Sequence, residues 1–296
     1  MGRPRGLHGK TVEFIRSCRE ILERIQPATV RGLCYQCFVR GLIESMARRD
    51  TSRVSDIIIR ARERGEIPWE WIVAEHTKSK HVSQWDDPVD FLRAVRLSYR
   101  KDLWTLQPRR PEIWSEKGTV KGILRPIAQN YGLTVRIFGG WGGGSDVYGI
   151  AQEIAQSTQP VVPLYVGDLD CSGAYMSDVD LPQRLARYGA GDVAIRRIAV
   201  IPEQTRGLES FPATAKKKDT RFAWFVQTYG RRCYELDAMD PTRLRRLVEQ
   251  EIQGLIEPET WERGLRAEDA EAHSIAAYLD GFRRAVIIRE APPHDR

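Results

Sequence analysis

Two apolar runs in this chain end in acid and pass straight into helix-forming sequence, and that junction most narrows what the chain folds into. Pro111-Glu-Ile-Trp-Ser115 leads to Glu116 and then Lys117-Gly118-Thr119, while Val161-Val-Pro-Leu-Tyr-Val-Gly167 leads to Asp168-Leu-Asp170 and then Cys171-Ser172-Gly173. In an open parallel sheet flanked by helices, ligands gather in the crevice outside the carboxyl ends of the strands. Acids at two such ends converge on one crevice, and three carboxylates there need a cation. A hard divalent ion, completed by water and phosphate oxygens, is the natural choice. A single Glu after a strand is ordinarily a helix-entry charge, and a single Asp-x-Asp a solvated turn. Their joint occurrence argues for a site.

From Pro111 onward, strand, helix, strand, glycine loop, helix, strand, helix and a strand at 195–201 succeed one another, the alternation of a parallel sheet with helices on both faces. Before it, the sequence predicts helices over 11–25, stopped by Pro27; over 29–40, with Thr29 as N-cap and Gly41 closing; and over 52–64, ended by Gly65. Three short helices followed by Ile67-Pro-Trp-Glu-Trp-Ile-Val-Ala-Glu75 suggest a winged helix-turn-helix whose strands form the wing. Residues 86–103 read as a further helix and Gln107-Pro-Arg-Arg-Pro111 as a linker, which divides the chain into domains 1–110 and 111–296. Beyond the sheet, the sequence predicts an exposed basic turn over 216–221, a short strand end over 234–237, an amphipathic helix over 241–255 and a charged helical remainder.

The formal charge of +6 is unevenly spread: residues 1–110 carry 22 Lys/Arg against 14 Asp/Glu, and residues 111–296 carry 24 against 26. The first part is therefore the expected phosphate-backbone binder and the second the metal carrier. No apolar run approaches the ~20 residues that cross a bilayer, and Met1–Lys10 is basic without the apolar core of a secretory signal. Five cysteines, Cys18, Cys34, Cys37, Cys171 and Cys233, lack disulfide spacing, which fits a reducing compartment. A cytoplasmic, nucleoid-associated location follows as the expectation. Cys34-x-x-Cys37 has no second pair and reads as structural. The loop Gly139–Gly144 does not satisfy G-x-G-x-x-G and no P-loop pattern occurs, so it suits close approach to a nucleic-acid phosphate, or flexibility, rather than nucleotide binding.

The whole pattern resembles the Toprim domain of topoisomerases and primases, and more closely that of the topoisomerase VI A subunit and its relatives, the meiotic double-strand-break proteins. Glu116-Lys117-Gly118 matches that family's Glu-Lys-Gly turn, the glycine loop before Ser145-Asp146 its loop after the second strand, and Asp168-Leu-Asp170 with Ser172-Gly173 its Asp-x-Asp. Nearer the N-terminus, Thr29-Val-Arg31-Gly-Leu-Cys-Tyr35 matches a Thr-x-Arg-x-x-Tyr-Tyr segment whose last Tyr attacks DNA, with Cys34 in place of the first Tyr. Arg31 and Tyr35 are four apart on a helix, so a guanidinium there suits a scissile phosphate or a phenolate.

The resemblance implies an α/β chain: an N-terminal winged helix-turn-helix domain, a Toprim-like parallel-sheet domain and a helical C-terminal extension. It implies Mg²⁺ or Mn²⁺ held by Glu116, Asp168 and Asp170. It further implies a homodimer on double-stranded DNA in which Tyr35 of one protomer, aided by Arg31, attacks a phosphate at the other's metal site, leaving a 5′-phosphotyrosyl link and a 3′-hydroxyl. In topoisomerase VI a separate ATPase subunit drives strand passage; this chain has no nucleotide motif, and a compact stand-alone relative or one half of a complex is expected. Two other functions stay open. One is a Toprim nuclease of the DNA-defence type that uses water as nucleophile, with Tyr35 a packing residue like Leu33, Phe38 and Leu42. The other is a non-catalytic winged-helix DNA-binding protein, against which the three clustered carboxylates weigh, because such charges repel without a cation.

Overall fold

In a computed structural model, which describes residues 9–72, 84–139 and 144–290, the chain is an α/β protein built on a four-stranded parallel sheet and many helices. In chain order the elements open with α1 (Gly9–Ile25), α2 (Val30–Val39), α3 (Arg48–Glu63), α4 (Pro88–Ser98), β1 (Arg110–Ser115), α5 (Lys121–Tyr131), β2 (Thr134–Ile137) and α6 (Gly144–Gln156). They continue with β3 (Val161–Val166), α7 (Cys171–Tyr175), α8 (Leu181–Arg187), β4 (Arg196–Ala199), β5 (Phe211–Pro212), α9 (Phe222–Tyr229), β6 (Arg232–Cys233), α10 (Pro241–Gln253) and α11 (Pro258–Glu290). No described helix is long and apolar enough to cross a membrane. Two compact units result, one from residues 1–77 and 109–255, the other from 78–108 and 256–296. This division differs from a single boundary at Pro111. The stretch read as a linker already enters the sheet, since Arg110 pairs with Val161 in β3.

In the first unit, Ile15, Cys18, Ile21, Leu22 and Ile25 form the inner face of α1 and pack on Leu33, Cys34 and Cys37 of α2 and on Val54, Ile58 and Ala61 of α3. Thr29 caps α2, its hydroxyl accepting the Gly32 N–H at 3.0 Å. All five cysteines are free and buried, with the sulfurs of Cys18 and Cys37 3.7 Å apart. The strand expected over 67–75 is replaced, in its described part, by one 3₁₀ turn at Trp69–Trp71 and a single parallel bridge between Ala28 and Ile72. The cause is local. Pro68 starts the turn, and the Arg62 guanidinium takes the carbonyls of Trp69 and Ile72, at 2.6 and 3.3 Å, that a ladder would use. Residues 73–75, like His76, His81 and most of the glycine loop, lie outside the described residues.

The sheet runs β2-β1-β3-β4, all parallel, so β1 and β3 are its central strands, with Ser115 level with Val166. Both bury side chains on both faces, as a sheet covered on two sides requires: Ile113, Trp114, Leu164, Tyr165 and Val166 are fully buried, and the one buried acid within β1, Glu112, is paired with Arg136 at 2.6 Å. The segment 234–237 forms an isolated antiparallel bridge from Tyr234 to Leu169 and then a 3₁₀ turn, Leu236–Ala238. That bridge draws a distant piece of chain onto the loop after β3.

In the second unit, the helix expected over 86–103 stops at Ser98, where Tyr99 turns extended at ψ 126°, and Asp102 starts a separate 3₁₀ turn, Leu103–Leu106, by accepting the Trp104 N–H at 3.1 Å. Trp104 is buried edge-on against Trp261 of α11, centroids 5.0 Å apart, and Lys101 pairs with Glu271 at 2.6 Å.

Candidate metal centre

Glu116 follows the last residue of β1 directly, and Asp168 follows β3 after Gly167. Since β1 and β3 are neighbours in register, both carboxylates emerge at one end of the sheet, and Asp170 reaches the same place as the N-cap of α7. Asp170 Oδ1 accepts the N–H groups of Ser172 and Gly173 at 2.9 and 2.8 Å, which is why an acid at this position starts the helix. Gly173 is required by close approach. A Cβ there would stand 2.5 Å from the Asp168 carbonyl oxygen and 2.7 Å from Glu116 Oε1. Gly173→Ala is therefore expected to destabilise the protein by about 1–3 kcal/mol, the cost of overpacking against a backbone atom, and to displace the Glu116 carboxyl; denaturant unfolding without added metal measures the first effect.

Mutual proximity shows in the acidities. Burial, then the charges of Asp168 and Asp170, raise the Glu116 carboxyl to about 7. Burial, opposed by Lys117, reinforced by Asp170 and opposed again by the Leu236 N–H, raises Asp168 to about 6. Lys117 Nζ lies 2.8 Å from Asp168 Oδ1, 2.9 Å from Asp237 Oδ2 and 3.8 Å from Glu235, and the attraction of Asp168 and Asp237 outweighs burial to hold its ammonium charged. Lys216 Nζ pairs with Asp170 Oδ2. Among the described residues, Glu116 has no Lys or Arg at ion-pair distance, unlike Asp168 and Asp170; the charges of Lys117 and Arg197 favour its ionisation only from farther away.

Arg197 of β4 fixes the loop that carries the aspartates. Its guanidinium donates to the carbonyls of Gly167, Asp168 and Val200 at 3.2, 3.1 and 3.4 Å and to that of Gly173, and it lies 5.0 Å above the Tyr165 ring. Tyr165 is fully buried, burial and then the charge of Glu116 disfavour its ionisation, and its hydroxyl has no hydrogen-bond partner among the described residues. An orphaned buried hydroxyl beside three carboxylates is a place that expects a further polar group.

The donor set suits a hard divalent ion, being entirely carboxylate oxygen. As placed, no three His, Cys, Asp or Glu side chains among the described residues form a ready ligand set, and ammonium groups and N–H donors occupy aspartate oxygens. The orphaned Tyr165 hydroxyl and the unmatched Glu116 charge are the features that fit an ion.

Tyr35 and Arg31 are placed differently. Tyr35 is 7% exposed on α2, edge-on to Phe38 at 6.1 Å. Its phenol is pushed up by burial and then by Glu235, Glu209 and Asp237, so it borders the segment that holds Lys117. Arg31 is exposed, and its charge acts on the Cys34 thiol. The structure thus brings Glu116, Asp168 and Asp170 together and sets Tyr35 near Lys117, Glu235 and Asp237, but among the described residues no contact joins Arg31 to the tyrosine. Sequence reasoning assigned no role to Lys117, Tyr165, Arg197, Lys216 or Asp237. Lys117 was visible inside the Glu-Lys-Gly turn and Lys216 inside the basic run; the other three carried no local signal. No protein-family model, curated protein or solved structure matches this chain.

Proposed function

We propose that this chain is a divalent-cation-dependent enzyme that cleaves the phosphodiester backbone of double-stranded DNA, with a Toprim-like sheet carrying the metal centre and a winged-helix-like N-terminal part holding the duplex. The convergence of Glu116, Asp168 and Asp170 at the ends of the two central strands, with one of them lacking a matched cation, carries the reading. Those three residues would hold Mg²⁺ or Mn²⁺, which when bound supplies charge neutralisation at a phosphate and activation of water. Lys117 keeps a fixed positive charge at the crevice, and Arg197 keeps the aspartate loop rigid through its carbonyl bonds. The basic N-terminal part supplies salt-sensitive affinity for the backbone.

Water is the nucleophile this arrangement favours. It adds to phosphorus as one P–O ester bond breaks, leaving a phosphomonoester and a hydroxyl. Tyr35 is enclosed, and the carboxylates around it oppose ionisation, the reverse of what activation of a phenol requires. The nearness of Tyr35 to Lys117, which itself pairs with Asp168, supports a second reading, the phosphotyrosyl transfer of topoisomerase VI A subunits, which would require the phenol to become exposed. Cutting both strands takes two sites, and a symmetric pair of chains would provide them.

Nicking and linearisation of supercoiled plasmid in Mn²⁺ test the reading. Tyr35→Phe is expected to cut like the parent and to leave no protein-bound DNA after denaturation. A covalent adduct that disappears in Tyr35→Phe establishes the phosphotyrosyl route instead, and a parent protein that neither binds Mn²⁺ nor cuts removes the metal centre.

A further inference from the structure

Asp170 spends its two oxygens unequally. Oδ1 is tied to two N–H groups of α7 and cannot leave without uncapping the helix. Among the described residues, Oδ2 has only the ammonium of Lys216. A divalent ion that uses Asp170 must meet that ammonium, because two cations do not share one buried carboxylate oxygen without strong repulsion.

The two lysines of the crevice differ in how easily they yield. Lys117 is 17% exposed and divided between Asp168 and Asp237, so removing it from one still leaves it on the other. Lys216 is 36% exposed, and Asp170 is its one carboxylate partner among the described residues. It ends the 3₁₀ turn Ala213–Lys216 and opens into exposed Lys217 and Lys218, and the Phe211 ring lies 5.7 Å from its Nζ, an alternative seat for an ammonium. A flexible four-carbon stem on an exposed turn moves at little cost.

We propose that Lys216 is a built-in counter-cation which a divalent ion displaces from Asp170, and whose freed ammonium then contacts the DNA phosphate backbone; this deepens the metal-centre reading and rests on it. Ion and ammonium are thus coupled negatively through one carboxylate oxygen, while freed Lys216 and the DNA phosphate are coupled positively. The basic run 216–218 acquires a task that its sequence alone does not reveal: through Lys216 it balances Asp170 when no ion is bound, and it serves the substrate once the centre is filled.

Opposite signs in two measurements test this. Calorimetric titration of the full chain with Mn²⁺ is expected to show Lys216→Met and Lys216→Gln binding the ion at least about fivefold more tightly than the parent, with Lys216→Arg close to the parent. Anisotropy with a non-cleavable duplex is expected to show the two neutral variants losing affinity in Mn²⁺ but not in EDTA, with the salt slope in Mn²⁺ reduced by about one. Unchanged or weaker Mn²⁺ binding in both neutral variants, with the parent binding normally, overturns the displacement. Equal loss of duplex affinity with and without Mn²⁺ reduces Lys216 to an ordinary surface cation and overturns it as well. A parent that binds no Mn²⁺ removes the metal centre itself, a result distinct from either.

Discussion

Lys117→Met is expected to destabilise the protein by about 3–5 kcal/mol, the scale of removing one partner from a buried ion pair. The ammonium lies 2.8 Å from Asp168 and 2.9 Å from Asp237, whose side chains are 12% and 4% exposed, so its loss strands two carboxylates that solvent reaches poorly. Methionine retains the length of the apolar stem, which confines the change to the charge. Urea unfolding at pH 7 measures the loss. The same measurement near pH 5 should show a smaller one, because protonation relieves Asp168, whose pKa burial already raises to about 6. Lys117→Met combined with Asp237→Asn should recover part of the loss, since the second change removes one of the stranded charges. A loss below about 1 kcal/mol at pH 7 is the scale of an exposed pair and would mean that water reaches these carboxylates.

The sheet and its acids were legible because their signals are local. An apolar run, an acid and a small residue lie within a few positions of one another, and a parallel sheet puts every such junction at the same end. Thr29, Gly41 and Gly65 were legible in the same way, as caps and stops written in single residues. The rest was not, because it depends on pairings far apart in sequence. Lys216 meets Asp170 across 46 positions and Lys117 meets Asp237 across 120, and nothing in a run of lysines or in Tyr-Glu-Leu-Asp237 says which carboxylate or ammonium it will find. Helical spacing likewise placed Tyr35 on α2 without saying what α2 packs against. Ordinary core packing and a reactive phenol have the same periodicity; only the surroundings of Glu235 and Asp237 separate them. The segment after Pro68 reads as a strand by composition, yet one guanidinium, that of Arg62, claims its carbonyls.

The stability of the metal-free protein is expected to fall as pH rises from 5 to 8, and Glu116→Gln should remove much of that fall. Glu116 titrates at about 7 and Asp168 at about 6, against ordinary values of 4.5 and 3.8. Between the unfolded and folded values the native state holds the extra protons, so their contribution is whole below pH 4, diminishes as pH rises through 6 and 7, and is gone by pH 8. One pKa unit corresponds to about 1.4 kcal/mol, which makes the whole Glu116 share about 3–4 kcal/mol, of which about 2–3 kcal/mol is lost between pH 5 and 8. Glutamine fills the same space without the charge, and the variant should therefore be more stable than the parent at pH 8 by on the order of 3 kcal/mol. Divalent ions should act in the opposite sense. Mn²⁺ should raise the melting temperature of the parent strongly at pH 8 and little at pH 5, because the ligands must first be deprotonated. In Glu116→Gln that rise should be largely lost. A variant less stable than its parent without metal would show that Glu116 supports the fold rather than strains it. The two arms together separate a carboxylate kept for a cation from one kept for structure, since only the former is a burden when the cation is absent.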